Sequence, residues 1–406
     1  MKNCLVAQSG GPTAVINASV AGVVKGLIEK KCCNKVYGGV YGIEGILQNK
    51  LIDLSNLSSQ QIEILKYTPS SSLGSCRYKL KDYKIDEREY EEFFNIMDQH
   101  HIHTLFYIGG NDSMDTVDKL DQYAKEKGID KQIIGIPKTI DNDLCHTDHT
   151  PGFGSAAKYI ATTVLETYLD ASVYPNNGVF IIETMGRDTG WLAASAALAN
   201  IGGESVPDFI YLPEIAFSTE KFIDDVARRY KEKNKVYIVA SEGIKDEQGK
   251  FLFQLNKPEK HDAFSHVQLG GVSNYLKHVI MENGITSRVK ALELGVTQRC
   301  AMHCVSETDI NEAFRAGMDA VEYSIDGDSG FMVGIRRLSD KPYESISFKV
   351  SASEIANSIR YFPSDWINSQ GNHVKEEAIL YLSPLIQGQS SVPMEKGLPR
   401  YLSFVE

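Results

Sequence analysis

Cysteine is sparse in this chain of 406 residues, and none of the seven (Cys4, Cys32, Cys33, Cys76, Cys145, Cys300 and Cys304) forms a Cys-x-x-Cys pair. A small disulfide scaffold is excluded, and scattered thiols with no secretory leader before Cys4 point to a reducing, cytoplasmic setting. Cys300-Ala301-Met302-His303-Cys304 lacks the second ligand pair of a zinc site, so its thiols read as buried or incidental. Long apolar runs are missing as well. The longest are strand-sized, short of the roughly 20 residues a membrane helix requires, so no membrane association is expected. Positive charge is in deficit, with 42 Lys and Arg against 53 Asp and Glu and a net charge of −11. That balance excludes nonspecific nucleic-acid or anionic-membrane binding and requires any phosphorylated ligand to be held by local cations. Internal repeats, heptads and low-complexity tracts are also lacking.

What is present is a long chain with 42% apolar residues, enough for two domains with separate cores. Strand and helix patterns alternate. Cys4–Ala7 reads as a first strand, followed by a Gly10-Gly11-Pro12 turn and a helix from Ala14 to about Lys30. Further strands are expected at 35–40, 104–108, 132–136, 178–182, 208–211, 235–240, 290–294 and 330–335. Helices are expected at 86–99, 113–127, 154–169, 188–199, 219–232, 268–283 and 306–323. The βαβα order implies an α/β protein with two doubly wound, mostly parallel sheets covered on both faces. A polar, histidine-bearing stretch, Cys145–Gly152, suggests a boundary near residue 150, with a site in the cleft between the halves. Lys245–Lys260 reads as a solvated loop.

Two polar loops carry the chemical argument. Leu105–Ile108 leads into Gly109-Gly110-Asn111-Asp112-Ser113, and Ile133–Ile136 leads into Pro137-Lys138-Thr139-Ile140-Asp141-Asn142-Asp143. Ligands of open α/β sheets collect beyond the carboxyl ends of strands, so both loops should open at one edge. Glycines admit backbone N–H groups to an anion, and three carboxylates with one ammonium supply the mixture that phosphoryl transfer uses. Asp141 is the candidate base, with Thr139 as its hydrogen-bonding neighbour; an Asx-turn in a surface loop is the plain alternative.

Three other stretches join them. Ser9-Gly10-Gly11-Pro12-Thr13 places a Gly-Gly turn at a helix N-terminus, which makes an anion site or simply a tight turn. Arg77, in Leu73-Gly74-Ser75-Cys76-Arg77, either clamps phosphate oxygens or faces solvent. Glu183–Trp191 contains Met185, Gly186 and Arg187, whose fixed charge suits a transferring phosphoryl group. Ser241-Glu242-Gly243 with Arg288, Lys290 and Leu294–Arg299 offers a carboxylate for sugar hydroxyls and cations for a sugar phosphate, though each alone reads equally as surface charge.

Taken jointly, Ser9-Gly10-Gly11, Gly109–Ser113, Thr139–Asp143, Met185-Gly186-Arg187 and Gln298-Arg299 resemble the phosphofructokinase family, in order, from about residue 4 to residue 337. The resemblance implies two α/β domains: 1–150 binding the phosphoryl donor and completed by about 297–345, and 151–296 binding the sugar phosphate and completed by about 346–406. It implies phosphoryl transfer to the 1-hydroxyl of fructose 6-phosphate, with Asp141 as base. Gly10, Gly11, Arg77, Gly110, Ser113 and Lys138 would meet the donor. Thr139, Ile140, Asp141, Met185, Gly186, Arg187, Glu242, Arg288 and Arg299 would meet the sugar.

Within the family the chain looks like the pyrophosphate-dependent branch, because ATP users typically carry glycine where Asp112 and Lys138 stand. A carboxylate at Asp112 would oppose a nucleotide α-phosphate by roughly 4 kcal/mol at about 4 Å and an effective dielectric near 20. Lys138 would neutralise the pyrophosphate or the departing phosphate. The resemblance further implies a readily reversible reaction serving glycolysis or gluconeogenesis, a magnesium ion, and a homo-oligomer, dimer or tetramer. The magnesium ligand stays open among Asn111, which stands where many relatives have aspartate, Asp112 and Asp143. Gly178 and Val296 replace an arginine and a histidine or tyrosine of regulated bacterial relatives, which argues against subunit-shared sugar binding. An ATP-dependent enzyme and a noncatalytic sugar-phosphate-binding subunit are the alternatives.

Overall fold

The computed structural model describes residues 2–174, 177–255 and 270–405. In chain order the strands of its two larger sheets are β1 (Asn3–Gln8), β2 (Val36–Gly39), β3 (Leu51–Asp53), β4 (Ile102–Gly109), β5 (Gln132–Pro137), β6 (Gly178–Thr184), β7 (Phe209–Tyr211), β8 (Lys235–Ser241), β9 (Val289–Glu293), β10 (Phe331–Asp340) and β11 (Tyr343–Ser351). The principal helices are α1 (Ile16–Lys30), α2 (Ser59–Lys66), α3 (Arg88–Gln99), α4 (Asn111–Lys127), α5 (Phe153–Ala171), α6 (Thr219–Lys233), α7 (Val272–Glu282) and α8 (Glu307–Ile325). The chain forms two compact units. One comprises the residues up to Ser155, Arg299–Ile359 and the residues from Gln387 on; the other comprises Ala156–Gln298 and Arg360–Ile386.

The first unit holds a seven-stranded sheet in the order β11-β10-β5-β4-β1-β2-β3. β2, β1, β4, β5 and β10 run parallel, while β3 and β11 close the edges antiparallel. Alternation along the strands supplies both faces. Leu5, Ala7, Leu105, Tyr107 and Ile133 pack with Phe93, Phe94 and Met97 of α3 and Met114, Val117 and Leu120 of α4. Val6, Phe106, Ile108, Ile134 and Ile136 pack with Ile16, Val20, Val23 and Val24 of α1 and Ala316, Ala320 and Val321 of α8. Burying these apolar side chains stabilises the unit by roughly 1.5–3 kcal/mol for each large one.

The second unit is built on a wholly parallel sheet, β9-β6-β8-β7. Val179, Ile181, Ile238 and Ala240 face Phe222 and Val226 of α6 and Leu276, Val279 and Ile280 of α7. On the opposite face Phe180 stacks on Tyr237, whose ring meets Tyr168 of α5 edge-on.

The doubly wound, mostly parallel architecture is as expected, but the unit boundaries differ, the first falling after Ser155 and not near residue 150. Residues 346–359 and those from 387 on belong to the first unit, because β11 pairs along β10 through a register from Phe331–Ser351 to Asp340–Tyr343. Thr297 and Gln298 belong to the second, where Tyr159 donates to Thr297 Oγ1 and Met185 N–H donates to Gln298 Oε1. The helix expected over 268–283 is seen as Val272–Glu282, residues 268 and 269 lying outside those described. Of the loop expected over 245–260, residues 256–260 also lie outside.

Candidate functional site

Strand β1 ends at Gln8 and the chain turns through Gly10, whose φ of 77° is left-handed and favours glycine. The Gly10 N–H donates to Cys76 O at 3.1 Å, and Ser75 Oγ donates to Gly10 O at 2.6 Å, so this turn lies alongside the segment that carries exposed Arg77. Two cations flank it. Lys138 Nζ donates to Gly11 O at 2.7 Å. A Cβ placed on Gly11 would lie 3.2 Å from Arg299 Nη1, and one on Gly10 the same distance from Lys138 Nζ.

Lys138 is 4% exposed, its N–H bonded to Gly109 O at 2.9 Å where β5 ends beside β4. Its ammonium is held down to about 8: burial is the main cause, Asp141 and Asp143 oppose it, and the positive charges of Arg299 and Arg77 assist it. Lys138 and Arg299 stand at the glycine turn with Arg77 near enough to influence Lys138, a grouping of positive charge of the kind that can hold an anion.

The loop after Lys138 is fixed by its own hydroxyls and amides. Thr139 Oγ1 accepts the Asp141 N–H at 3.1 Å, which turns half-buried Asp141 out of the strand direction. Ile140 is buried and anchors the bend. Buried Asn142, with φ of 54°, accepts the Thr150 N–H at 3.1 Å, and Thr150 Oγ1 donates to Thr139 O at 2.9 Å. Asp309 of α8 then holds the next turn, accepting N–H bonds from Gly152 and Ser155 at 2.9 Å each, and its burial pushes its carboxyl up to about 6.

Gly110 stands at the amino end of α4, with Asp112 exposed in the first turn. Ser113 is buried, its Oγ only 1.9 Å from where a Gly109 Cβ would stand, so this hydroxyl props the glycine turn. Asn111 is bonded through both ends of its carboxamide. Its Nδ2 donates to Ile355 O at 3.2 Å and also to Ser358 O, and its Oδ1 accepts the Asn357 N–H at 2.7 Å. The carboxamide tethers 355–358, and its oxygen, with one lone pair taken by the Asn357 N–H, keeps the other for a further partner. Among the described residues no three His, Cys, Asp or Glu side chains are grouped to cage a metal ion. Asn111, Asp112 and Asp143 offer oxygen donors, a set too small to enclose an ion alone; a hard divalent cation bound through one or two carboxylates would draw its other ligands from substrate phosphates.

In the second unit, Met185, Gly186 and Arg187 follow β6 and Glu242 follows β8, at the carboxyl ends of adjacent parallel strands. Ser241 Oγ donates to Gly186 O at 2.5 Å, Glu242 N–H donates to Thr184 O at 2.9 Å, and a Cβ on Gly243 would stand 1.9 Å from Arg187 O. Only glycine permits that approach. Arg288 is elsewhere: it precedes β9, whose Val289 pairs with Val179 at the start of β6, and its guanidinium lies 5.1 Å over Tyr174. Within this unit it occupies the opposite sheet end from Arg187 and Glu242. Arg299, expected with the sugar residues, belongs to the first unit beside Gly11.

Several supporting residues escape motif reading. Glu214 accepts N–H bonds from Gly190 at 2.8 Å and Phe362 at 2.9 Å, and burial raises its carboxyl above the ordinary range. Glu183, likewise raised by burial, accepts from Gly271 N–H, Ser273 N–H and Ser273 Oγ at the start of α7. A lone polar residue at the end of an apolar strand, as Glu183 is, was the available signal.

These features define a class: an α/β protein with glycine-rich turns at the strand ends, with cations and the half-buried carboxylate of Asp141 close by. The family model for phosphofructokinase matches residues 3–324, and the chain belongs to that family. Its relatives include a protein of Halomonas elongata named pyrophosphate–fructose 6-phosphate 1-phosphotransferase, 40% identical over 98% of this chain and 95% of its own. A protein of the same name from Xanthomonas campestris is 41% identical over 99% of this chain and 96% of its own. The crystal structure of a pyrophosphate-dependent phosphofructokinase from Nitrosospira multiformis superposes with a TM-score of 0.89 at 37% identity, covering 98% of this chain and 95% of that one.

Proposed function

We infer that this chain is a pyrophosphate-dependent phosphofructokinase, transferring a phosphoryl group from pyrophosphate to the 1-hydroxyl of fructose 6-phosphate to give fructose 1,6-bisphosphate and phosphate. The observation that carries the choice of donor is the buried Lys138 ammonium on Gly11 O, with Asp112 exposed in the first turn of α4. Pyrophosphate brings no adenosine, so its binding energy must come from charge contacts with its own oxygens. Lys138, Arg77 and Arg299 supply them.

In the proposed mechanism Asp141 takes the proton of the 1-hydroxyl as its oxygen forms the new bond to phosphorus. The bridging bond of pyrophosphate breaks, and the departing phosphate keeps that electron pair against Lys138. Arg187 balances charge on the transferring oxygens, and Glu242 accepts sugar hydroxyls. A divalent metal, which we assign as magnesium, would be held by Asp112 and Asp143 together with the phosphates and would screen their charge. Because no nucleotide is consumed, the reaction runs in both directions and suits either glycolysis or gluconeogenesis. The proposed setting is cytoplasmic and homo-oligomeric; no described helix is long and apolar enough to cross a membrane.

The test is a side-by-side donor assay with magnesium and fructose 6-phosphate, following bisphosphate by phosphorus NMR. Pyrophosphate should give product with one phosphate released per turnover, and ATP should be slower by at least about 100-fold, within what one like-charge contact can impose. Strong ATP turnover without pyrophosphate activity would refute the reading. Binding of fructose 6-phosphate without turnover from either donor would favour a noncatalytic subunit.

A further inference from the structure

The segment Tyr401–Val405 carries none of the motifs above, yet it is bonded to Thr68 and Ser72, just ahead of the turn that carries Arg77. Ser72 Oγ donates to Leu402 O at 2.6 Å, the Leu402 N–H donates to Thr68 Oγ1 at 3.0 Å, and the Phe404 N–H donates to Ser72 O at 2.9 Å. The Leu402 and Phe404 side chains pack on the core that includes Val6, Ile16, Leu65 and Leu73.

From Ser72 the bonding continues inward without a break. Asn17 Nδ2 donates to Ser72 Oγ and to Thr68 O, both at 2.8 Å, while Asn17 Oδ1 accepts from Ser72 N–H at 3.0 Å and Gln8 Nε2 at 2.8 Å. Gln8 Oε1 in turn accepts the Leu73 N–H at 3.0 Å. Gln8 and Asn17 are both fully buried. The Asn17 carboxamide thereby uses both donors and both acceptor positions. Gln8 directly precedes Ser9-Gly10-Gly11, and Leu73 leads into Gly74-Ser75-Cys76-Arg77. The amide pair therefore sets these two turns in register, and Ser72 is where the outer segment grips it.

We infer that Tyr401–Val405 is a positioning strap for pyrophosphate binding. By covering Ser72 and Thr68 it holds 68–73 against Gln8 and Asn17, so the backbone at Gly10 and Gly11 and the guanidinium of Arg77 are arranged before the donor arrives. Without the strap, that ordering is charged to the binding step, which weakens donor affinity and leaves the acceptor untouched. The inference rests on the donor assignment made above.

The test compares the full chain, a chain shortened after Arg400, Ser72→Ala in the full chain, and both changes combined. Pyrophosphate activity of the full chain is measured first, and its absence would remove the donor assignment and the strap with it. With activity present, shortening should raise the KM for pyrophosphate about tenfold, equivalent to about 1.4 kcal/mol, while kcat and the KM for fructose 6-phosphate stay within about twofold. Ser72→Ala should raise the same KM, and the two changes combined should raise it by less than the product of their separate effects, since both remove the bond from Ser72 Oγ to Leu402 O. If the shortened chain fails to fold, Ser72→Ala decides alone. An unchanged pyrophosphate KM, or equal shifts in both substrates' KM values, would overturn the strap.

Discussion

Removing the Lys138 ammonium should cost donor use far more than acceptor use, and it should also erase a pH limb. The group is 4% exposed, bonded to Gly11 O at 2.7 Å, and its pKa is lowered to about 8. A unit charge about 4 Å from a phosphate oxygen at an effective dielectric near 20 contributes roughly 4 kcal/mol, an upper-end figure that corresponds to about 1,000-fold. Lys138→Met keeps the stem's bulk and deletes the charge. We expect kcat/KM for pyrophosphate to fall by about 100- to 1,000-fold, with the affinity for fructose 6-phosphate, read by calorimetry, within about threefold. The pH profile supplies the stronger check. Because kcat/KM reports ionisations of the free enzyme, the parent should lose donor efficiency tenfold per pH unit above about 8 as Lys138 deprotonates. That limb should be absent from Lys138→Met. A limb that persists unchanged in the variant would refute the assignment of the charge to Lys138.

The other expectations are more local. Asp112→Gly should admit ATP, detected as new ATP-dependent bisphosphate formation, whereas continued inability to use ATP would show that the carboxylate is not the barrier. Asn111→Ala should lower stability by about 1–3 kcal/mol, since it strands the backbone of 355–358, yet leave the magnesium concentration for half-activation unchanged. A tenfold rise in that concentration would place Asn111 on the metal. Asp141→Asn should lower kcat by about 100- to 10,000-fold in both reaction directions with little change in fructose 6-phosphate affinity, measured by calorimetry. His149 is fully buried, with Nε2 2.5 Å from Glu312 and Nδ1 2.8 Å from Asp148; burial pulls its pKa down, but the two carboxylates outweigh that and raise it to about 9. The folded value lies above the unfolded one near 6.5, so the stabilisation is fully present below pH 6.5 and lost as pH rises through about 9. Denaturant titrations should show stability declining across that window, and His149→Gln should flatten it.

The parallel strands were legible because β4, β5, β6 and β8 are near-continuous apolar runs ended by glycine or polar residues, and only a sheet covered on both faces buries such runs. The edges were less so. Tyr343–Ser351 alternates apolar and polar side chains from Ser345 on, a pattern broken at Tyr343 and Glu344, and the β10–β11 hairpin that carries 346–359 into the first unit depends on pairing that no window of sequence contains. Helix α2 announces itself only through a capping box, Ser58 with Gln61. At the candidate site, Lys138, Thr139 and Asp141 were readable as a loop of mixed charge after a strand. Arg299 and Arg288 were not separable, because a cation near a strand looks the same whether it stands at the amino end, as Arg288 does, or turns back to Gly11. The tethering bonds of Asn111 were not legible either, because its partners Ile355, Asn357 and Ser358 lie about 245 residues away.

Those tethers bear on how a small donor can be bound at all. Pyrophosphate offers nine heavy atoms and no apolar surface, so affinity must come from a few charge-assisted contacts whose geometry is set beforehand. Ligands of this size gain most when the receptor spends nothing on ordering itself. In the first unit the turns assigned to the donor are tied to buried scaffold by side-chain contacts. Gln8 and Asn17 hold the Gly10 turn, Ser113 props Gly109, and Asn111 fixes 355–358 against the start of α4. Lys138 itself is kept partly desolvated, so its charge is less screened when an anion arrives, and the same burial places its pKa close to physiological pH. An anion beside Lys138 must raise that pKa. Donor binding above about pH 8 should therefore take up a proton, by linkage, in amounts that grow with pH until Lys138 is fully neutral in the free enzyme. Calorimetry in buffers of differing ionisation enthalpy would read that uptake, and a zero proton count at pH 8.5 would mean that the ammonium does not face the donor.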